Sequence, residues 1–307
     1  MSGGGGTTAI VAALAANAGI AVAKFVGFLI TGSSSMLAEA VHSVADTSNQ
    51  GLLLLGGKSS QREATAKHPF GYGRDRYFYS FVVALLLFSL GSVFALYEGV
   101  HKLHSQQPIS APLVAIVILA VAIVLESLSF RTAVRESRPL KGGGNWWQFI
   151  KQSKTPELPI VLLEDSGALL GLVFALAGVG LSVLTGDPVW DAIGTLSIGV
   201  LLGVIAIILI VETKSLLIGE GSGPDELYAI RTAMVGHGVD RVIHLRTQYL
   251  GPDELLVAAK IAVPATMSTA DVARVIDEAE ARVRGAVPAA RIIYLEPDLD
   301  RTPAGTI

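Results

Sequence analysis

Ionisable side chains interrupt an apolar stretch near the start of the chain, in "AEAVHSVADTSNQ" at residues 38–50. Glu39, His42 and Asp46 follow one another at intervals of three and four residues, so they share one face of a helix. An ionisable group inside a membrane helix is costly, and such groups usually serve a function. What chemistry these residues can do therefore depends on whether the stretch lies in a membrane.

The composition indicates a membrane protein. The chain of 307 residues is 51% hydrophobic and only 16% charged, with a mean hydropathy of +0.56, whereas soluble domains carry about a quarter charged residues. The net charge of −3 and the lack of a long basic tract argue against a nucleic-acid partner. The chain has no cysteine, so a metal ion must be bound by histidine, carboxylate, amide or backbone oxygen.

Six stretches are long and apolar enough to cross a bilayer, which takes about 20 residues each. They cover approximately residues 8–31, 35–57, 78–102, 111–132, 159–184 and 188–217. Two of the links between them are rich in lysine and arginine, whereas the links on the opposite side contain Lys102 alone. The positive-inside rule then places both termini and the basic links in the cytoplasm. The expected location is the inner (plasma) membrane of the cell.

The character of the chain changes after Lys214. A helix start at "SGPDEL", two strands joined by "GPDE", an amphipathic helix that begins at "STADV" and a last strand "ARIIYLEP" follow in order. The sequence therefore predicts a polytopic α-helical membrane domain over residues 1–217. A small cytoplasmic α/β domain of α-β-β-α-β order is predicted over residues 218–307.

With the membrane assignment made, His42 and Asp46 lie one helical turn apart and can bind one ion together. The fifth stretch offers a matching half in "VLLEDSGALLG", where Glu164 and Asp165 interrupt another apolar run. A neutral imidazole and two carboxylates suit a divalent ion such as zinc. The alternative is that these groups bond one another or neighbouring helices and only specify packing.

Three other polar residues in the apolar stretches are weaker candidates. Asn17 and Lys24 could line the same cavity, although Lys24 could also extend its ammonium group to the outer surface. Glu126 lies five residues before Arg131 and could simply mark the cytoplasmic edge of its helix.

Three motifs together resemble the cation diffusion facilitator family: "SSSMLAEAVHSVADTSNQGLLLLG", "HPFGYGR" at 68–74 and "DPVWDAIGTLSIGV" at 187–200. The resemblance covers nearly the whole chain and implies six spans followed by a metallochaperone-like cytoplasmic domain. It further implies a homodimer that exports divalent cations, commonly zinc, in exchange for protons. The family's tetrahedral site takes two ligands at i and i+4 from each of the second and fifth spans.

Carried over to this chain, the second-span pair falls on His42 and Asp46, a combination associated with zinc-type members. The fifth-span aspartate falls on Asp165, but its partner four residues earlier is Val161. Glu164 is a candidate for the missing ligand, although it points about 100° away from Asp165 on a helix. Water, Asn49 and Glu39 are the other candidates for the fourth position.

Two auxiliary metal sites of the family lack ligands in this sequence. In the loop, His68 is retained, but the positions of its companions hold Thr65 and Tyr72. In the C-terminal domain the ligand positions hold His244, Lys260, Tyr294 and Glu296. A lysine ammonium cannot bind a metal, so the domain is expected to dimerise with little or no metal.

The preferred interpretation is a secondary transporter, not an enzyme, that exchanges a divalent cation for protons and has no prosthetic group. His42, Asp46 and Asp165 bind the ion, which the family resemblance implies is commonly Zn²⁺, and Glu164 assists binding or carries a proton. Ion and proton compete for the same atoms, because metal ligands must be deprotonated.

Three alternatives remain open at this point. The transporter could instead select manganese, iron or cobalt. An intramembrane metal-dependent hydrolase could use the same groups, although no HExxH motif is present. Val161 is also consistent with a structural membrane protein that has lost transport.

Overall fold

The computed structural model describes residues 4–105 and 108–299, with side chains described from residue 18 onward. The helices of the first two thirds of the chain are α1 Gly4–Thr31, α2 Ser34–Ser60, α3 Asp75–Leu86, a π-helical segment Leu87–Val93, α4 Phe94–Ser105, α5 Pro112–Lys141, α6 Trp146–Gln152, α7 Glu157–Thr185 and α8 Val189–Ile218. The remaining elements are α9 Pro224–Met234, β1 Arg241–Gly251, β2 Glu254–Ala262, α10 Thr269–Ala286 and β3 Ile292–Asp298.

Four helical segments of the described chain are long and apolar enough to cross a membrane by length and composition: Asp75–Ser105, Pro112–Lys141, Glu157–Thr185 and Val189–Ile218. The first is continuous through the π-helical segment. Ala18–Thr31, the part of α1 whose side chains are described, forms a shorter apolar helix. α2 falls outside this set because its polar residues, among them Glu39, His42 and Asp46, lower its hydropathy.

The sequence predicts a basic link between the fourth and fifth apolar stretches, but most of this region is helical in the structure. α5 continues to Lys141, well past the apolar residues, and α6 follows after a short turn. A capping box begins α6: Asn145 Oδ1 accepts a hydrogen bond from Gln148 N at 2.7 Å, and Gln148 Oε1 accepts one from Asn145 N at 3.2 Å. The apolar pattern of the sequence predicts only the part of a helix that is covered by lipid or protein, so it does not reveal the polar end of α5 or the helix α6.

Small residues let the backbones of α7 and α8 approach closely. A Cβ atom on Gly178 would lie 2.9 Å from Trp190 O, and one on Gly194 would lie 2.9 Å from Phe174 O. Without a hydrophobic effect between helices in lipid, such close contacts are a main source of helix association. Around them a core of buried apolar residues joins α2, α3, α5, α7 and α8, including Met36, Leu119, Leu172 and Leu202.

The C-terminal domain has the predicted α-β-β-α-β order. Its sheet runs β1-β2-β3, with β1 antiparallel to β2 and β2 parallel to β3. α9 and α10 contribute Ile230, Val275 and Val283 to a core that is separate from that of the membrane domain. Ser268 is the N-cap of α10, and its Oγ accepts a hydrogen bond from Asp271 N at 3.2 Å.

The segment Ser59–Tyr77, which links α2 to α3, belongs to the same compact unit as the residues from Ser215 onward. Gly73 lies against the end of β1: a Cβ atom on Gly73 would come within 2.7 Å of Leu250 O. Arg76 Nη1 is 3.4 Å from Asp253 Oδ2, in the turn between β1 and β2. The α/β domain is therefore built from two separate parts of the sequence.

Candidate functional site

His42 and Asp46 lie one turn apart on α2, as the spacing predicts. His42 Nε2 is 3.5 Å from Asp46 Oδ2, and the imidazole is only 1% exposed. Within the described part of the chain, neither ring nitrogen of His42 has a hydrogen-bond partner, and neither does Asp46 Oδ1. Buried polar atoms are nearly always hydrogen bonded, so these unpaired atoms are suited to a ligand.

The two halves of the predicted site meet at a small cavity inside the helical domain. Its volume of about 20 Å³ is enough for one water molecule or a bare ion. Four helices, α1, α2, α5 and α7, line it with Ile20, Ser43, Asp46, Gln50, Glu126, Ser129, Val161, Glu164 and Asp165. Carboxylates from three helices thus face one small space.

Glu164 and Asp165 both reach this cavity although they are sequence neighbours. Glu164 Oε1 accepts a hydrogen bond from Asn49 Nδ2 at 2.6 Å, and Asp165 Oδ2 accepts one from Ser129 Oγ at 3.1 Å. α7 continues without interruption through both residues. The offset of about 100° between neighbouring residues on a helix therefore does not prevent both carboxyl groups from lining the cavity.

The side chains do not yet surround an ion. Among the described residues, no three histidine, aspartate or glutamate side chains lie close enough together to hold a metal. An ion that bound here would draw the side chains inward across the cavity.

Lys24 and Glu39 form a buried ion pair beside the site. Lys24 Nζ donates to Glu39 Oε2 at 3.0 Å and to Ser43 Oγ at 2.8 Å, and both charged side chains are 0% exposed. The alternative that Lys24 reaches the outer surface is therefore wrong. Glu39 does not line the cavity, and its carboxylate is already neutralised by the ammonium group, which makes it a poor fourth ligand.

Asp191 of α8 fixes the start of α2, a role that sequence reasoning missed. Its buried carboxylate accepts hydrogen bonds from Ser33 Oγ at 2.8 Å, from Ser34 N at 2.9 Å and from Ser35 N at 3.3 Å. It therefore acts as the N-terminal cap of α2 from another helix. The signal available in the sequence was an aspartate inside an apolar run, together with three consecutive serines at 33–35.

The loop residues that correspond to an auxiliary metal site come together without forming one. The imidazole of His68 packs against Tyr72 with ring centroids 4.6 Å apart and ring planes tilted by 40°. Thr65 Oγ1 lies 3.5 Å from the Tyr72 hydroxyl, and Arg62 lies over the same ring at 4.1 Å. These residues therefore contact one another directly.

In the C-terminal domain, Lys260 occupies the middle of the corresponding site. It lies opposite His244 on β1 and beside Glu296 on β3. Its Nζ is 2.9 Å from Glu296 Oε1 and 3.5 Å from Asp298 Oδ2. Hydrogen bonding and the negative charge of Glu296 raise the pKa of the Lys260 ammonium group, so it stays cationic. His244 Nε2 already accepts a hydrogen bond from Arg246 Nε at 2.9 Å.

The architecture and this cavity define a helical membrane protein with an attached α/β domain. Residues 10–218 match the family described as cation efflux transmembrane domain, and residues 224–298 match the cation efflux protein cytoplasmic domain. The chain belongs to the cation efflux, or cation diffusion facilitator, family. The family resemblance predicted from the motifs is confirmed.

Proteins similar to this chain include proton-coupled zinc antiporter SLC30A9, mitochondrial, of Xenopus laevis. It is 37% identical over 72% of this chain and 40% of its own length. The human protein of the same name is 35% identical over 72% of this chain and 39% of its own length. Magnetosome protein MamB of Paramagnetospirillum magneticum is 26% identical over 87% of this chain and 85% of its own length.

Two facts about these relatives limit or correct the expectations. The chain spans about 40% of the length of the Xenopus zinc antiporter that it matches. The expected location in the inner (plasma) membrane of the cell with cytoplasmic termini is wrong, because relatives at 35–37% identity are named mitochondrial. Hydropathy and charge identify a membrane protein but carry no information on which membrane receives it.

Proposed function

We propose that the protein exchanges a divalent cation, zinc in the first place, for protons across a membrane. The observation that carries this proposal is the cavity where Asp46 and Asp165 meet beside an unpaired, buried His42. Membership of the cation efflux family and the zinc antiporter name of two relatives support it. Nothing in the cavity favours the hydrolase alternative.

In this proposal six helices cross the bilayer: the four long apolar segments together with α1 and α2. α2 can cross the bilayer although it carries polar residues, because His42 and Glu39 are buried inside the protein. Residues 1–217 form the transport domain, and residues 218–307 form a dimerisation domain, as the description of its family suggests. Two copies of the chain would then make the working transporter.

His42, Asp46 and Asp165 bind the ion, and Glu164, on the same cavity wall, assists binding or carries a proton. Two aspartates supply two negative charges, which offset the charge of a divalent ion and make its burial tolerable. In this proposal His42 exchanges the proton, because a ring nitrogen must lose its proton before it can bind the ion. Binding of an ion displaces protons from these groups, so a proton gradient across the membrane drives the ion in the opposite direction.

The deciding experiment is ion flux into sealed vesicles that contain the purified protein, under an imposed pH gradient. Zinc flux that depends on the gradient is expected, and zinc, manganese, iron, cobalt and cadmium are compared in the same preparation. Asp46→Ala and Asp165→Ala should each abolish zinc flux with the protein still folded and inserted, since each removes a charge that the ion needs. Asp187→Ala, an exposed aspartate outside the cavity, is the matched control and should transport normally.

Flux from Asp46→Ala and Asp165→Ala equal to that of the unchanged protein would refute the site. Gradient-independent behaviour of the unchanged protein, with no saturable zinc binding, would instead support the alternative of a membrane protein without transport.

A further inference from the structure

The proposed site has three ligands, His42, Asp46 and Asp165, whereas the family's site has four. Val161, which stands at the family's ligand position, lies on the wall of the cavity itself. An aliphatic side chain cannot bind an ion, so a fourth donor would come from another residue of the cavity wall or from water. The inference below rests on the proposed function.

Two of the candidate replacements are already occupied. Glu164 accepts a short hydrogen bond from Asn49 at 2.6 Å, and Glu39 is paired with Lys24 at 3.0 Å. Using either as a ligand would require breaking a buried, charge-assisted interaction, which costs more than using a free group.

Glu126 on α5 is a free carboxylate on the same wall. It is partly buried and, within the described part of the chain, no hydrogen bond or ion pair holds it. Arg131, five residues further along α5, forms no ion pair with it within the described residues. Three residues further on, Ser129 Oγ donates to Asp165 at 3.1 Å, which fixes this face of α5 against α7.

The buried imidazole of His42 gives independent evidence for a ligand at this place. It is 1% exposed, it lies 3.5 Å from Asp46 on the cavity wall, and both its nitrogens lack partners in the described chain. We propose that Glu126 replaces the missing fifth-span ligand, so that a divalent cation is bound by His42, Asp46, Asp165 and Glu126 from three helices. One nitrogen and three carboxylates form a harder donor set than two histidines and two aspartates would.

The test is equilibrium binding of Zn²⁺ to the purified full chain in detergent, by calorimetry at fixed pH. Glu126→Gln keeps the shape and removes the charge, and it should weaken binding about tenfold or more, the size of effect seen even for groups that only support a metal ligand. Glu136→Gln, an exposed glutamate on the same helix, is the matched control and should bind as the unchanged protein does. Adding Val161→His to Glu126→Gln should recover most of the lost affinity, because it restores a donor at the family position.

A spectroscopic measurement keeps the test independent of affinity and of stability. Glu126→His should change the visible absorption bands of bound Co²⁺, because an imidazole nitrogen would replace a carboxylate oxygen in its coordination. Bands identical to those of the unchanged protein, or unaltered Zn²⁺ binding in Glu126→Gln, would overturn the assignment of Glu126.

The two levels of the proposal can fail separately. Unaltered binding in Glu126→Gln alongside lost flux in Asp46→Ala removes Glu126 from the site and leaves the transport proposal intact. Absence of Zn²⁺ binding to the unchanged chain overturns both.

Discussion

At the scale of single residues, the Lys24–Glu39 pair places two opposite charges in the interior of the membrane domain. Two charges have been removed from water, and their attraction offsets that penalty only while both are present. Lys24 Nζ also donates a hydrogen bond to Ser43 Oγ at 2.8 Å, and Ser43 directly follows His42 in the sequence. The pair therefore holds α1 against the part of α2 that carries the site.

Lys24→Met should destabilise the protein by about 3–5 kcal/mol, because it leaves Glu39 buried without a counter-charge. The double change Lys24→Met with Glu39→Gln removes both charges and should recover most of that loss. Thermal unfolding in detergent measures both variants. A double variant no more stable than Lys24→Met alone would show that the ion pair is not the source of the effect.

At the scale of elements, α2 owes its start to a residue of a different helix. Helix starts leave backbone N–H groups without partners, and Asp191 accepts two of them, from Ser34 and Ser35, inside the protein. Because Asp191 is 0% exposed, water cannot replace it.

Asp191→Ala should therefore cost on the order of 3 kcal/mol, since each buried donor left unpaired costs about 1–3 kcal/mol. Asp187→Ala is the comparison, because Asp187 accepts a single hydrogen bond, from Val189 N at 2.9 Å, at an exposed helix start. It should cost about 1 kcal/mol. Equal losses of unfolding free energy in the two variants would contradict the capping role.

The helices themselves were predictable, because long apolar runs leave few alternatives in a protein of this composition. The stretch 35–57 was found although polar residues interrupt it, and the structure has α2 at Ser34–Ser60. The helical continuation of α5 to Lys141 and the helix α6 were not predicted, since their residues are charged and carry no membrane signal. Helix formation there depends on caps and packing that hydropathy does not report.

The site was only partly predictable for a related reason. Spacing along one helix placed His42 beside Asp46, and two apolar runs interrupted by acids suggested that α2 and α7 meet. Which residue of a third helix faces them depends on helix rotation and packing, and a single sequence does not specify these. Glu126 was a weaker candidate in the sequence, but its position on the cavity wall and the contacts of Ser129 and Asp191 are visible only in three dimensions.

At the scale of the whole molecule, the C-terminal domain carries its own cation in Lys260. The ammonium group is shared between Glu296 and Asp298 at the place where related domains are expected to bind metal. A tethered positive charge repels a metal ion that approaches.

Residues 220–307 should therefore dimerise without added zinc, and calorimetry should detect no stoichiometric zinc binding. Lys260→Ser should gain weak zinc binding, because it removes the ammonium group that pairs with the Glu296 carboxylate. Tight zinc binding by the unchanged fragment would contradict this.

The raised pKa of Lys260 gives the same fragment a defined pH dependence. Its ion pairs contribute fully below the ordinary lysine value of 10.5 and are lost as pH rises through the higher folded value. Thermal stability should therefore show no loss from this group between about pH 7 and pH 9. A Lys260-dependent decline inside that range would contradict the assignment.

The association of Ser59–Tyr77 with the C-terminal unit has a consequence for biosynthesis. The segment leaves the ribosome long before β1 is made, because about 180 residues separate Gly73 from Leu250. Until then, the surface against which Gly73 lies does not exist. The link between α2 and α3 therefore reaches its final conformation late in synthesis, after the helices on either side of it have been made.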